Sequence, residues 1–512
     1  MLLHEHFVRN AKRFHAKPAF IDRGAGKRFT YRKTLLSSLL LAAKIRPIKG
    51  KYIGIMLPTG AGCAFSILAS LMAGKTPVMI NYSTGAAENA SYAKKKCGFE
   101  TIITSRAFLE KIGCSPSACP PLALLPLDKM LFLEDLIKGV TLWEKLRAFL
   151  VAKLPLNAIL KRARAGTEDE HAVILFTSGS EKEPKCVPLT HENILANIEA
   201  FGKVINFSEK DAILATLPYF HVFGLTATLW TPLYFGMTIV TYPNPLDYKT
   251  VCSVVREEKP TVIVGTPSFY RGYLKKSEPG DFKSVRIAVS GADKCPDSVR
   301  GEFLEKHGIT LLEGYGATET SPVISVNTPE RNKPGSVGKV LPNIQVKVQD
   351  CETGLLCETG RPGKVLVKGP SVMKGYLEDP LQTETCLKGG WYDTGDMGWV
   401  DEDGFLWHAG RLKRFTKIGG EMISLLKVES VLEEFLPTES SCCVIEVPDS
   451  VKEVKLIAVV TSRVNEKALL KQLSAHLPNL ALPKEFVYME ELPRMGSGKV
   501  DFRRVGEMVR GK

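Results

Sequence analysis

Residues Phe176 to Val187, FTSGSEKEPKCV, combine hydroxyls, a glycine and a lysine in a way that suits phosphate. The apolar run Ala172 to Phe176 reads as a buried strand. Thr177, Ser178, Gly179 and Ser180 then supply hydroxyls and a pliant backbone whose N–H groups can face an anion, and Lys185 adds a cation. The nucleotide-binding pattern GxxxxGK[ST] is absent, because Gly179 is followed by EKEPKC. Taken alone, the same composition also describes an ordinary solvated loop.

Further candidates follow. Ile213 to Leu225, ILATLPYFHVFGL, ends a strand at Pro218 and places His221 among Tyr219, Phe220 and Phe223, where it is either a packed residue or a polar group beside a ligand. Thr261 to Gly265 and Val285 to Val289 read as strands followed by TPSFY and SGAD, junctions of the kind where open α/β sheets hold ligands. Leu311 to Pro322, LLEGYGATETSP, offers the Tyr315 ring for stacking, the Thr318 hydroxyl and the Glu319 carboxylate. One carboxylate beside phosphate suits Mg²⁺, which keeps most of its waters; a surface glutamate is the plain alternative. In WYDTGDMG, Asp396 suits ribose hydroxyls or a turn.

The elements that must position these residues follow from apolar periodicity. Strands are expected at Tyr52 to Leu57, Thr76 to Ile80 and Thr101 to Thr104, with helices at Leu35 to Ile45 and Ala64 to Ala73. This alternation predicts an α/β fold with parallel sheets flanked by helices. A chain of 512 residues, 44% hydrophobic and 24% charged, is long enough to divide into two or more domains.

The net charge of +13 favours acidic partners. Nucleic acid is not among those expected, because the basic residues are dispersed and no zinc-finger, RNP-type or basic-region pattern occurs. The twelve cysteines form no CxxC pair or disulfide framework and read as reduced thiols of a cytoplasmic enzyme. Met1 to Lys33 is too polar for a signal peptide, and no stretch is long enough to cross a bilayer. In the segment 142–165, Lys145, Arg147, Lys153, Lys161, Arg162 and Arg164 interrupt apolar residues, and Pro155 breaks the helix. Such a segment either covers the protein's own core or lies peripherally on an anionic membrane, where each basic residue contributes about 1 kcal/mol.

TSGSEKEPK, LPYFHVFGL, YGATETSP, WYDTGD, GRLKRFTKIGGEM and LPRMGSGKVD occur in the order and approximate spacing of the adenylate-forming enzymes, and the chain resembles that superfamily over essentially its whole length. The resemblance implies a large N-terminal domain of stacked α/β sheets, 1–409, and a small mobile α+β domain, 410–512, with Lys413 at the hinge. It implies that Thr177, Ser178, Gly179, Ser180 and Lys185 hold the β- and γ-phosphates of ATP, and that Gly291, Ala292, Asp293 and Tyr315 form the adenine pocket. Thr318 is then expected at the α-phosphate, Glu319 at Mg²⁺, Asp396 and Arg411 at the ribose, and His221 beside the reacting carboxylate. Lys499 is expected to reach both the carboxylate and the α-phosphate.

Glu181, Lys182 and Cys186 depart from the superfamily's usual phosphate loop, where Thr, Gly and Gly are common. TSGSE, KRFTKIGGEMISL and PVMINYS resemble the acyl-acyl carrier protein synthetase branch. That branch implies activation of a fatty acid and its transfer to the thiol of acyl carrier protein, a small acidic partner. Coenzyme A is the alternative acceptor. A nucleotide-binding protein without catalysis is a third reading, opposed by retention of Lys185, Glu319, Asp396, Arg411 and Lys499.

Overall fold

The computed structural model describes residues 1–114, 129–162, 166–177, 184–418, 421–437, 439–449, 453–494 and 499–510. A nine-stranded sheet dominates the large N-terminal part. Its centre is parallel and runs, in spatial order, Leu311–Gly316, Ile287–Ser290, Val262–Gly265, Ala212–Ala215, Thr238–Thr241 and Pro18–Asp22. Antiparallel strands close both edges. The central strands read AILA, VIVG and IAVS, and helices such as Tyr248–Glu258 and Pro267–Lys276 alternate with them. Near-continuous apolar strands of this kind are stable only where both faces are covered.

A second, six-stranded sheet is ordered Met130–Phe132, Ile102–Thr104, Tyr52–Ile55, Thr76–Met79, His171–Phe176, Cys186–Thr190. All its pairings are parallel except the last, a hairpin. The expected strands and helices in this half are therefore present, with the helices at Tyr31–Ile45 and Ala61–Met72. Trp391–Val400 pairs with Leu406–Arg411 in a third, antiparallel sheet. Asp396 lies in that ten-residue strand, so the turn reading of WYDTGDMG is corrected: the alternating burial along the strand turns Asp396 inward.

The small C-terminal part has a hairpin, Phe415–Ile418 with Glu421–Ser424, and a three-stranded sheet of Cys442–Asp449, Glu453–Val460 and Glu485–Tyr488. Its apolar residues form clusters of their own around Leu432, Val444 and Leu473 and around Cys443, Val459 and Val505. The cysteines among the described residues are free. No helix among those residues is long and apolar enough to cross a membrane.

Gly410, near the end of the strand Leu406–Arg411, has φ +116°, and its missing Cβ leaves room for Leu426; a Cβ there would lie 3.2 Å from that side chain. Few non-glycine residues hold such a backbone. Gly410→Ala is expected to lower the unfolding free energy of the small part by about 1–3 kcal/mol, read as an earlier denaturant transition; an unchanged transition would refute the need for glycine here.

Candidate active site

The topology assembles the site before any side chain is considered. Gly265, Ser290 and Glu313 stand in register across three neighbouring parallel strands, and Gly291 N–H donates to the Gly265 carbonyl at 3.0 Å. The loops that follow those strand ends therefore emerge side by side, at the edge where open α/β sheets hold ligands. One carries Gly291, Ala292 and Asp293; beside it Tyr315 lies near the end of the strand Leu311–Gly316, and the turn that follows carries Thr318 and Glu319. Ala292 has φ +73°, which turns the chain sharply at the strand end.

The strand Ala212–Ala215 delivers His221 to the same edge, at the N-cap of the short helix Val222–Leu225. Gly224 allows this helix to sit on the preceding turn, because a Cβ there would lie 2.3 Å from the Pro218 carbonyl oxygen. A π-helical turn, Thr226–Trp230, follows, an irregularity common at functional sites. His221 Nε2 is buried without a hydrogen-bond partner. Burial, reinforced by the positive charge of Lys499, lowers its pKa to about 4, so the imidazole is neutral at pH 7. His221 is thus packed, as one reading has it, and stands at the edge where the other reading expects a ligand.

Tyr315 and Asp396 connect two sheets. The Tyr315 hydroxyl donates to Asp396 Oδ2 at 2.6 Å, and its ring lies 5.3 Å from that of His408. Asp396 stands opposite Arg411 in the strand pair. Asp396 Oδ1 faces Arg411 Nε at 3.0 Å and His408 Nε2 at 3.7 Å, yet accepts no well-aligned hydrogen bond and is buried. Burial alone raises a carboxyl pKa; His408, Arg411 and Tyr315 outweigh it and hold Asp396 below its ordinary value. Asp396 Oδ1 thus lies within reach of Arg411 and His408 and keeps lone-pair capacity to accept from a ligand hydroxyl.

The phosphate-loop candidate falls between the paired strands His171–Phe176 and Cys186–Thr190. Its base is closed by Thr177 N–H to the Lys185 carbonyl at 3.0 Å and by Lys185 N–H to Thr177 Oγ1 at 3.3 Å. Ser178, Gly179, Ser180, Glu181 and Lys182 lie outside the described residues. Cys186 is buried, with its Sγ 3.9 Å from that of Cys97.

Two residues of this site are absent from the sequence-based set. Tyr376 donates to Glu319 Oε1 at 2.8 Å, while Lys185 Nζ reaches the Tyr376 hydroxyl at 3.4 Å and lies over its ring at 4.9 Å. Met373 N–H to the Glu319 carbonyl and Leu377 N–H to the Cys186 carbonyl stitch the same segment to both partners. His408 is the other. Both sit in stretches without periodicity or a clustered polar pattern, so only the fold reveals them.

Lys499 comes from the small part. The Asp293 carboxyl pKa is raised by desolvation against the pull of Lys499, Arg494, His408 and Arg411, and the charge of Lys499 adds to the lowering at His221. Contacts that hold this arrangement include Arg271 to Ser441 Oγ at 3.0 Å, Arg494 to the same oxygen at 3.1 Å and Lys294 Nζ to Ser430 Oγ at 3.0 Å. Lys413 lies in the single turn Leu412–Arg414, and the neighbouring Arg414 donates to Glu429 Oε1 at 2.5 Å.

Among the described residues no three metal-ligating side chains cluster. Glu319, a single buried carboxylate beside Lys185, fits an ion such as Mg²⁺ whose other ligands are water and phosphate oxygens.

Comparison with known proteins gives a consistent result. Residues 7–377 match the model of the AMP-binding enzyme family, and residues 427–499 match that of the AMP-binding enzyme C-terminal domain. A long-chain-fatty-acid–CoA ligase of Bacillus subtilis is 31% identical over 94% of this chain and 90% of its own length. A 4-coumarate–CoA ligase of Narcissus pseudonarcissus is 26% identical over 97% of this chain and 92% of its own. The fold is similar to that of an anthranilate CoA ligase in complex with anthranoyl-AMP, with TM-score 0.86 and 23% identity over 99% of this chain and 97% of the other. The o-succinylbenzoate coenzyme A synthetase of Bacillus subtilis, in complex with ATP and magnesium ion, superposes with TM-score 0.81 and 24% identity over 97% and 98% of the two chains.

His221 reports whether Lys499 faces the cleft in solution. The unfolded imidazole takes its proton near pH 6.5 and the native one near 4, so the native state loses stability as pH falls through that interval. An NMR titration is expected to place the His221 midpoint near 4, and Lys499→Ala should move it upward by removing a positive neighbour. A midpoint near 6.5 in the unaltered protein would contradict the burial of His221, and a midpoint that Lys499→Ala leaves unmoved would contradict a Lys499 charge near it.

Proposed function

The chain belongs to the AMP-binding enzymes, and from that premise we propose that it activates a long-chain fatty acid as acyl-AMP and passes the acyl group to the thiol of coenzyme A. Acyl-adenylate-forming ligase chemistry comes with the family. The observation that supports this assignment of roles is the pairing of Tyr315, near the end of a parallel strand, with the buried Asp396 that also meets Arg411.

In this reading Asp396 Oδ1 and Arg411 receive the ribose hydroxyls. Gly291, Ala292, Asp293 and the Tyr315 ring enclose the adenine, and Thr318 meets the α-phosphate. Thr177, Ser178, Gly179, Ser180 and Lys185 hold the β- and γ-phosphates. The substrate carboxylate, placed beside neutral His221, attacks the α-phosphorus; a P–O bond to the carboxylate forms as the bond to pyrophosphate breaks. Negative charge grows on the phosphoryl oxygens, and Lys499 is positioned to offset it in a cleft where preorganised charge acts strongly. Glu319 would hold Mg²⁺, whose chemistry is neutralisation of phosphate charge. The acceptor thiol then attacks the acyl carbon and AMP leaves. We place the domain boundary at Ala409/Gly410 and the hinge at Lys413, where the small domain swings between the two half-reactions.

The acid and acceptor rest on the relatives. Long-chain-fatty-acid–CoA ligases of Bacillus subtilis and Salmonella typhimurium are among those matched, which favours coenzyme A over the carrier protein expected from the sequence. Acyl carrier protein remains the second reading, supported by the TSGSE, KRFTKIGGEMISL and PVMINYS stretches and by the charge of +13 toward an acidic partner. Both acceptors present the same pantetheine thiol.

Purified protein with ATP, Mg²⁺ and palmitate, offered coenzyme A or holo acyl carrier protein in separate reactions, is expected to form acyl-CoA. Acyl-carrier-protein product alone would shift the assignment to the second reading, and neither product, with no pyrophosphate released, would reject both. Lys499→Ala is expected to slow adenylation by about two to three orders of magnitude while thioester formation from added acyl-AMP largely survives. Equal loss of both half-reactions would overturn the role given to Lys499.

A further inference from the structure

A surface helix normally turns its apolar stripe toward the core and its charges toward water. Helix Leu142–Lys153 instead turns its large apolar side chains outward. Ala148 is its only fully buried residue, whereas Leu142, Trp143, Leu146, Phe149 and Leu150 are between 38% and 84% exposed. At about 100° per residue these five side chains fall on one stripe roughly 120° wide. Lys145 and Arg147 flank it, one on each side, and Lys153 closes its C-terminal end with its ammonium 4.7 Å from the Phe149 ring. Ile137, on the preceding helix Leu133–Lys138, is also exposed.

This presentation is built in. Thr141 caps the helix through a reciprocal pair with Glu144. Lys44 from helix Tyr31–Ile45 binds Glu144 at 2.5 Å, and Lys12 Nζ donates to the carbonyls of Ala152 and Leu154 at 3.1 and 3.0 Å. Pro155 ends the helix, and Leu156–Arg162 continues with Ile159 buried and Lys161 and Arg162 exposed. The helix is thus fastened by these polar contacts and by the small inner residues Ala148, Val151 and Ala152, and its large apolar side chains are left outward as a contiguous patch of the kind that marks an interaction surface.

Charge selects the occupant. Between residues 142 and 162 there are five basic side chains, Lys145, Arg147, Lys153, Lys161 and Arg162, against one acidic, Glu144, which Lys44 already engages. A second copy of this chain seated symmetrically would bring the same basic flanks together. An anionic bilayer meets both features at once, apolar side chains among the upper acyl chains and ammonium and guanidinium groups among the phosphates. We propose that helix Leu142–Lys153 lies in the interface of an anionic phospholipid bilayer and holds the protein there peripherally. This holds whichever acid and acceptor the enzyme uses.

The test is co-sedimentation of the full-length protein with vesicles of phosphatidylcholine alone and of phosphatidylcholine mixed with phosphatidylglycerol. Anionic vesicles are expected to bind the protein about tenfold or more tightly, and high salt should release it. Lys145→Gln/Arg147→Gln is expected to weaken that binding about thirtyfold. Leu142→Ser/Trp143→Ser should abolish it while melting temperature and acid-dependent pyrophosphate release stay unchanged, since neither position touches the cleft. Undiminished binding by the Leu142/Trp143 variant, or no binding to anionic vesicles at low salt, would overturn the proposal. So would a concentration-dependent dimer, or a complex with holo acyl carrier protein, that the same variant abolishes in the absence of lipid binding.

Discussion

The buried carboxylate of Asp396 is the constraint on which the site depends. A charge so enclosed must be compensated, and the compensation comes from two sheets: Tyr315 from the strand Leu311–Gly316, and His408 and Arg411 from the strand Leu406–Arg411. Loss of one partner would leave a buried charge exposed to the full desolvation penalty, commonly 3–5 kcal/mol for roughly this kind of pair. The same carboxylate keeps one oxygen without an aligned donor. Structural compensation and readiness for a ligand are therefore properties of one group, and the large sheet and the antiparallel sheet cannot move apart without disturbing both.

From that anchor the other contacts follow along the strand ends. Tyr315 fixes the beginning of the loop that carries Glu319. Glu319 accepts from Tyr376, which meets Lys185 at the base of the hairpin. Polar contacts thus run from Asp396 and Tyr315 at one end to Glu319, Tyr376 and Lys185 at the other. In the proposed mechanism the charge that offsets phosphoryl transfer, Lys499, comes from the small part, which can therefore withdraw it.

Much of this was legible in the sequence because it rests on short-range pattern. The apolar runs VIVG and IAV announce buried parallel strands, and small residues after them announce ligand-binding turns. The order of the polar stretches pointed to the superfamily that the family models independently match. Tyr376 and His408 were not legible, since each acquires its role from a partner 57 residues away in one case and through strand pairing in the other. The outward stripe of Leu142–Lys153 was half legible: periodicity gave an amphipathic helix, but which face meets solvent depends on Lys44 and Lys12, contacts that sequence spacing does not encode. The choice between coenzyme A and carrier protein has the same character, because both acceptors end in one thiol and their distinction lies in surfaces far from it.

The measurement that tests the central claim most directly follows an oxygen atom. Palmitate labelled with ¹⁸O in its carboxylate is turned over with ATP, Mg²⁺ and coenzyme A, and the phosphorus products are analysed by mass spectrometry. Attack by the carboxylate on the α-phosphorus, followed by thiol attack on the acyl carbon, predicts one ¹⁸O in AMP and none in pyrophosphate. Label in orthophosphate with ADP as the nucleotide product, or unlabelled AMP, would contradict an acyl-adenylate intermediate in this cleft.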